Sequence, residues 1–189
     1  GSGLQAATRH EEALSVQEAI LSMARRLGAP EAHILPLFNN IANTYQALER
    51  LEEAANMLRD VFSGHVRLNG QEHRDTLMAA LNYASSLNHL RRFEEAKALL
   101  RQKMPVARRA LGEGRELTLR MRWEYARVLY RDDGATLDGL REAVSTLEDL
   151  ERTARRVLGC AHPAVMGIER SLKFSREALR ARETPPSSA

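Results

Sequence analysis

The chain has 189 residues, 43% of them hydrophobic, which suits one domain with a sizeable core. No apolar run approaches the roughly 20 residues of a membrane span, the opening GSGLQAATRH lacks a signal-peptide core, and the single cysteine, Cys160, excludes an internal disulfide, so a cytoplasmic setting is expected. The net charge of +3 is carried almost wholly by arginine, Lys97, Lys103 and Lys173 being the lysines, and so small an excess does not by itself mark a nucleic-acid binder.

In chain order, Gly1 to Gly3 read as a cloning remnant, and residues 11–28 supply one helix without a clear partner before it. RLEEAANML at Arg50–Leu58 is then echoed by RFEEAKALL at Arg92–Leu100, 42 positions on. Glycines close the sequences RLG, RLNG, RALG and RVLG at Gly28, Gly70, Gly112 and Gly159, at intervals of 42, 42 and 47. Ala54, Ala96 and Ala143 each stand 16 residues before their glycine, whereas Ala13 stands 15 before Gly28, a slip of one. Ala42, Ala84 and Ala126 keep the same 42-residue phase, as do Asn40 and Asn82. Several residue types held in phase make this an internal repeat.

Each unit reads as two helices. In the second, Leu51, Ala54, Ala55, Leu58, Val61, Phe62 and Leu68 follow the spacing of one helical face, and Gly70 ends it. In the first, Leu77, Leu81, Ala84 and Leu87 form a stripe that Asp75 or Thr76 can cap. A helix pair cannot bury both its faces alone, so neighbouring pairs must stack, and the period predicts an all-α solenoid of about seven helices. The units fall near 11–28, 29–70, 71–112 and 113–159, within one domain over 4–182. The third unit carries five extra residues, expected between its helices in RDDGATLDG. A capping helix is expected at 163–182, with Lys173 and Arg176 where earlier units have Ala126 and Leu129, followed by a disordered tail at 183–189.

The histidines His10, His33, His65, His73, His89 and His162 show neither HExxH nor a cysteine partner, so neither a metal nor another cofactor is expected. His73 and His162 each lie three residues after a glycine, which suggests a capping role in the turn. GEGREL lacks the lysine and hydroxyl residue of a phosphate loop, and Ser85, Ser86 and His89 have no carboxylate to complete a triad. An enzyme is not expected.

The phrases FNNIANTYQALERLEEAANML and LNYASSLNHLRRFEEAKALL, with the turns LNGQEH and LGCAHP, resemble the 42-residue tetratricopeptide repeats of kinesin light chains and their wider class. The resemblance spans about residues 11–180, without the heptad segment that would join a heavy chain. It implies a right-handed superhelix whose first helices line a concave groove binding peptide segments of other proteins. Carried over, the groove positions are Asn39, Asn40 and Asn43 in the first full unit. They are Leu81, Asn82, Ser85 and Asn88 in the second, and Arg120, Trp123, Glu124, Arg127 and Arg131 in the third.

Asparagine amides both donate and accept, which suits an extended peptide backbone. Arg120, Arg127 and Arg131 recur at seven and four residues and suit a partner peptide carrying carboxylates or phosphate. Two readings stay open for these groups: Trp123 as platform or core, and the arginines as ligand contacts or as partners of Glu116, Glu124, Asp132 and Asp133. The expected function is a non-catalytic scaffold or adaptor that binds a protein or peptide without membrane contact. RNA binding by the repeats is an alternative, though the regular pair of base-reading side chains is missing. Self-assembly through the unpaired first helix, with Leu14, Ile20, Leu21 and Met23, is another.

Overall fold

The structure, a computed structural model, describes residues 2–183, with side chains described from Thr8 onward. Among the described residues there are eight α helices and no strand: α1 (Ser2–Arg26), α2 (Glu31–Ala47), α3 (Leu51–Asn69), α4 (Arg74–His89), α5 (Phe93–Leu111), α6 (Glu116–Arg131), α7 (Leu137–Leu158) and α8 (Pro163–Glu183). The lone first helix, both helices of three full units and the capping helix make eight, one more than the expected seven. Helix α1 begins well before residue 11, taking in Ser2 and Gly3. The tail at 184–189 lies outside the described residues, while Glu183 closes α8.

The chain divides into two compact units, Gly1–Leu90 and Arg91–Ala189. In the first, α1, α2, α3 and α4 pack in sequence; in the second, α5 to α8 do so, and α6 also touches α8. Short turns make successive helices antiparallel. Ala54, Ala96 and Ala143 are fully buried, so the small side chains kept in phase mark tight packing. One core joins Leu14 and Leu21 of α1 to Ile41 and Tyr45 of α2. Another joins Leu119 and Ala126 of α6, Leu147 and Leu150 of α7, and Ile168 and Leu172 of α8.

The four repeat glycines all have positive φ, from 66° to 103°, a conformation that carries no Cβ penalty in glycine. A buried threonine fixes two of these turns. Thr76 Oγ1 donates to the Gly70 carbonyl at 2.7 Å, and Thr118 Oγ1 to the Gly112 carbonyl at 2.9 Å. The cap of α4 is His73 rather than Asp75 or Thr76: its Nδ1 accepts from the Asp75 N–H at 3.2 Å. His162 Nδ1 accepts from the Ala164 N–H at the same distance, so both turn histidines cap a helix start.

The five extra residues of the third unit do not all lie between its helices. The turn into α7, residues 132–136, has two residues more than those into α3 and α5, and α7 has 22 residues where α3 and α5 have 19. Three of the five therefore add a turn to the start of α7. Thr136 caps it by accepting from the Gly139 N–H at 3.1 Å, and Asp132 Oδ1 accepts from the Gly134 N–H at 2.9 Å.

Candidate protein-interaction surfaces

In the first unit the expected groove residues lie on α2 and α4. Asn82 Nδ2 donates to Asn39 Oδ1 at 3.2 Å, so the two first-type helices are tied by an amide pair. The pair is 43 positions apart, one off the repeat phase, and Asn40 stands exposed beside it. Asn43 is also exposed and Ser85 half-buried. Leu81 and Asn88 are buried, at 5% and 0% exposure, so neither presents a side chain to a ligand. Their phase is that of Leu77, Ala84 and Leu87, the buried stripe of α4.

A cleft of about 270 Å³ opens beside the amide pair. Leu35, Val61, Met78 and Ala79 give it an apolar lining, and His65 and Asp75 add polar groups. Pro36, on the α2 side, has no N–H to donate along the helix, which leaves the Ala32 carbonyl without that bond. Gly64 of α3 lets the wall close in, since a Cβ there would stand 2.6 Å from a methyl of Leu35.

In the second unit α6 carries the expected arginines. Arg120 and Arg131 are exposed, whereas Arg127 donates to Glu124 Oε2 at 2.8 Å. Glu124 is only 5% exposed, so it is an anchor for Arg127 and not a groove contact. Two of the other acids named for charge pairing have partners elsewhere: Asp133 pairs with Arg91, and Asp132 with Lys97 at 3.1 Å.

Trp123 belongs to the core. It packs against the cluster of α6, α7 and α8, and its indole N–H donates to Ser171 Oγ at 2.9 Å. The ring lies over Gly167, where a Cβ would come within 2.3 Å of it. The aromatic platform expected of Trp123 is therefore spent on holding α6 to α8.

A further cleft of about 390 Å³ lies between α5 and α7 over α6. There Arg101 Nε donates to the Tyr125 hydroxyl at 2.7 Å, and that hydroxyl donates to Glu142 Oε1 at 2.8 Å. Burial first, and then the bond to Glu142, raise the Tyr125 pKa above its ordinary value. Arg122 on the same wall reaches Asp149 at 3.3 Å. This cleft was not legible in advance, because its charges come from three helices at no repeating interval. Among the described residues no group of histidine, cysteine, aspartate and glutamate is placed to hold a metal ion, and no helix is long and apolar enough to cross a membrane.

Antiparallel helix pairs recurring at a fixed period, with polar side chains on their first members, define a helical repeat protein. Residues 37–75 and 76–115 match the tetratricopeptide repeat, and these two stretches are tetratricopeptide repeats. The fold is similar to that of a Podosopora anserina protein described as a kinesin light chain with nearly identical TPR-like repeats. Its structure is 22% identical, covering 96% of this chain and 87% of that one, with a TM-score of 0.74. A substituted form of that protein is 21% identical at the same coverage, with a TM-score of 0.76. BtubC (BKLC) from P. vanneervenii is 15% identical, covering 96% of this chain and 79% of that one, with a TM-score of 0.61. No curated protein matches the chain in sequence.

Proposed function

We propose that the chain is a non-catalytic scaffold that holds an extended peptide segment of a partner protein against its first-type helices. The observation that carries this reading is the Asn39–Asn82 pair beside an apolar cleft. Once that bond is made, the Asn39 amide still has N–H groups to donate and Asn82 Oδ1 still accepts. A peptide carbonyl and N–H fit these two groups, and an apolar side chain of the peptide fits between Leu35 and Met78. In the second unit, taken by itself, the exposed Arg120 and Arg131 of α6 favour acidic or phosphorylated side chains.

The test is binding of a peptide library, followed by anisotropy on the best ligand. Asn82→Ala is expected to weaken it by roughly tenfold, equivalent to about 1.4 kcal/mol, with little dependence on salt. Arg120→Ala with Arg131→Ala is expected to weaken acidic peptides most at low salt. Arg59→Ala, on exposed α3 surface, is the control. A ligand that binds Asn82→Ala and Asn39→Ala as tightly as the parent chain overturns the reading.

A further inference from the structure

Helix α1 has two opposite faces. Leu14 and Leu21 are buried, while on the same side Gln17 accepts from the Thr44 hydroxyl and Glu18 from the Tyr45 hydroxyl, which seats this face on α2. Self-assembly through Leu14 and Leu21 is thereby excluded. The other face carries Val16, Ile20 and Met23, exposed by 59%, 47% and 62%, and Leu27, 78% exposed, continues it from the turn directly after the helix. Their spacing of four, three and four makes one continuous apolar stripe.

The repeat shows what kind of element covers this face. Aligned through Ala13 and Ala54, Ile20 and Met23 match Val61 and Gly64 of α3, both buried. Gly64 meets Leu35 of α2, the first-type helix that packs on that side of α3. The stripe on α1 is thus shaped to take an antiparallel helix with an apolar stripe of its own.

Charge selects the occupant. Glu12, Ala19 and Arg26 succeed one another at seven-residue intervals along one flank of the stripe. Neither Glu12 nor Arg26 has an ion-pair partner among the described residues. If two α1 helices run antiparallel about Ala19, Glu12 of each falls opposite Arg26 of the other and the two stripes meet. A parallel pairing would put the two charged flanks on opposite sides of the seam, where neither Glu12 nor Arg26 meets an opposite charge of the other copy. We infer that α1 is a homodimerisation helix, pairing antiparallel with α1 of a second copy through Val16, Ile20, Met23 and Leu27, with Glu12–Arg26 ion pairs fixing the register.

Sedimentation equilibrium of the full chain over a concentration series tests this. A monomer–dimer equilibrium is expected, and Ile20→Ser with Met23→Ser should raise its dissociation constant by more than about tenfold while the helical circular dichroism is retained. Glu12→Arg and Arg26→Glu should each weaken the dimer when alone, because like charges then face each other. Mixing the two variants should restore it, since the heterodimer regains opposite charges at both ends. A chain that stays monomeric throughout overturns the inference and leaves the stripe to a helix from another source. It is equally overturned by a dimer that tolerates the serine substitutions, or by a mixture no tighter than its components.

Discussion

A methyl group added at Gly167 would stand 2.3 Å from the Trp123 ring, and that partly buried indole is tied by its N–H to Ser171 and packed against the core of α6, α7 and α8. Gly167→Ala gains about 1 kcal/mol of helix propensity, but overpacking costs about 1 to 3, so a net loss of up to about 2 kcal/mol is expected. Urea unfolding measures it, with the single tryptophan as reporter and circular dichroism as the second probe. In a Trp123→Leu background, followed by circular dichroism alone, the cost should vanish, which is the sign that the ring causes it. At this scale the sequence was legible where phase alone decides: the glycines, the buried alanines and the turn histidines. Trp123 was not, because whether an aromatic faces a groove or a neighbour depends on a glycine 44 residues away. Thr76 is read from the sequence only as a possible cap and Thr118 is not singled out, although the two keep the 42-residue period, the signal that points to their shared role in the glycine turns.

Helix boundaries followed from the repeat, and the exception has a local cause. The turns into α3 and α5 are made by Glu49 and Arg91, both at positive φ, and neither helix has a side-chain cap. Instead Arg50 pairs with Glu53 and Arg92 with Glu95, each three residues on. The third unit abandons this turn for a longer one capped by Thr136, and the sequence could not say how five residues would divide between loop and helix. Glu49→Gly should therefore raise the thermal midpoint, since relief of left-handed strain worth about 1 to 2 kcal/mol exceeds the added chain entropy of about 0.4 to 1 kcal/mol. Thr136→Ala should cost about 1 kcal/mol, and Thr136→Ser should restore most of it. Equal stability of the alanine and serine variants would show that the extra turn stands without its cap.

Across the whole molecule, the arginine excess is largely committed to neighbours, and this shapes how stability responds to pH. Asp149 is held below its usual range by Arg152 and then Arg122, and Glu95 by Arg92. A depressed carboxylate stabilises above its unfolded pKa and loses that contribution as pH falls through its folded one, so stability should decline on the acid side below about pH 4. The basic limb is set by Lys103, 3% exposed, in the place that Val61 and Leu150 fill in other units. Burial pushes its pKa below the ordinary lysine value. Between that lowered value and the unfolded one, the unfolded chain holds a proton the native chain lacks, so stability rises with pH there. Tyr45 and Tyr125 act in the opposite sense. Burial and then their bonds to Glu18 and Glu142 raise both, so above about pH 10 the native chain keeps protons that the unfolded chain sheds, and stability falls. Urea midpoints from pH 7 to 11 should therefore rise and then turn down. Lys103→Met should lift the neutral-pH stability by about 1 kcal/mol or more and abolish the rise while leaving the downturn, because it removes a buried charge and leaves both tyrosines in place. A rise that survives in Lys103→Met would assign the alkaline gain to another group.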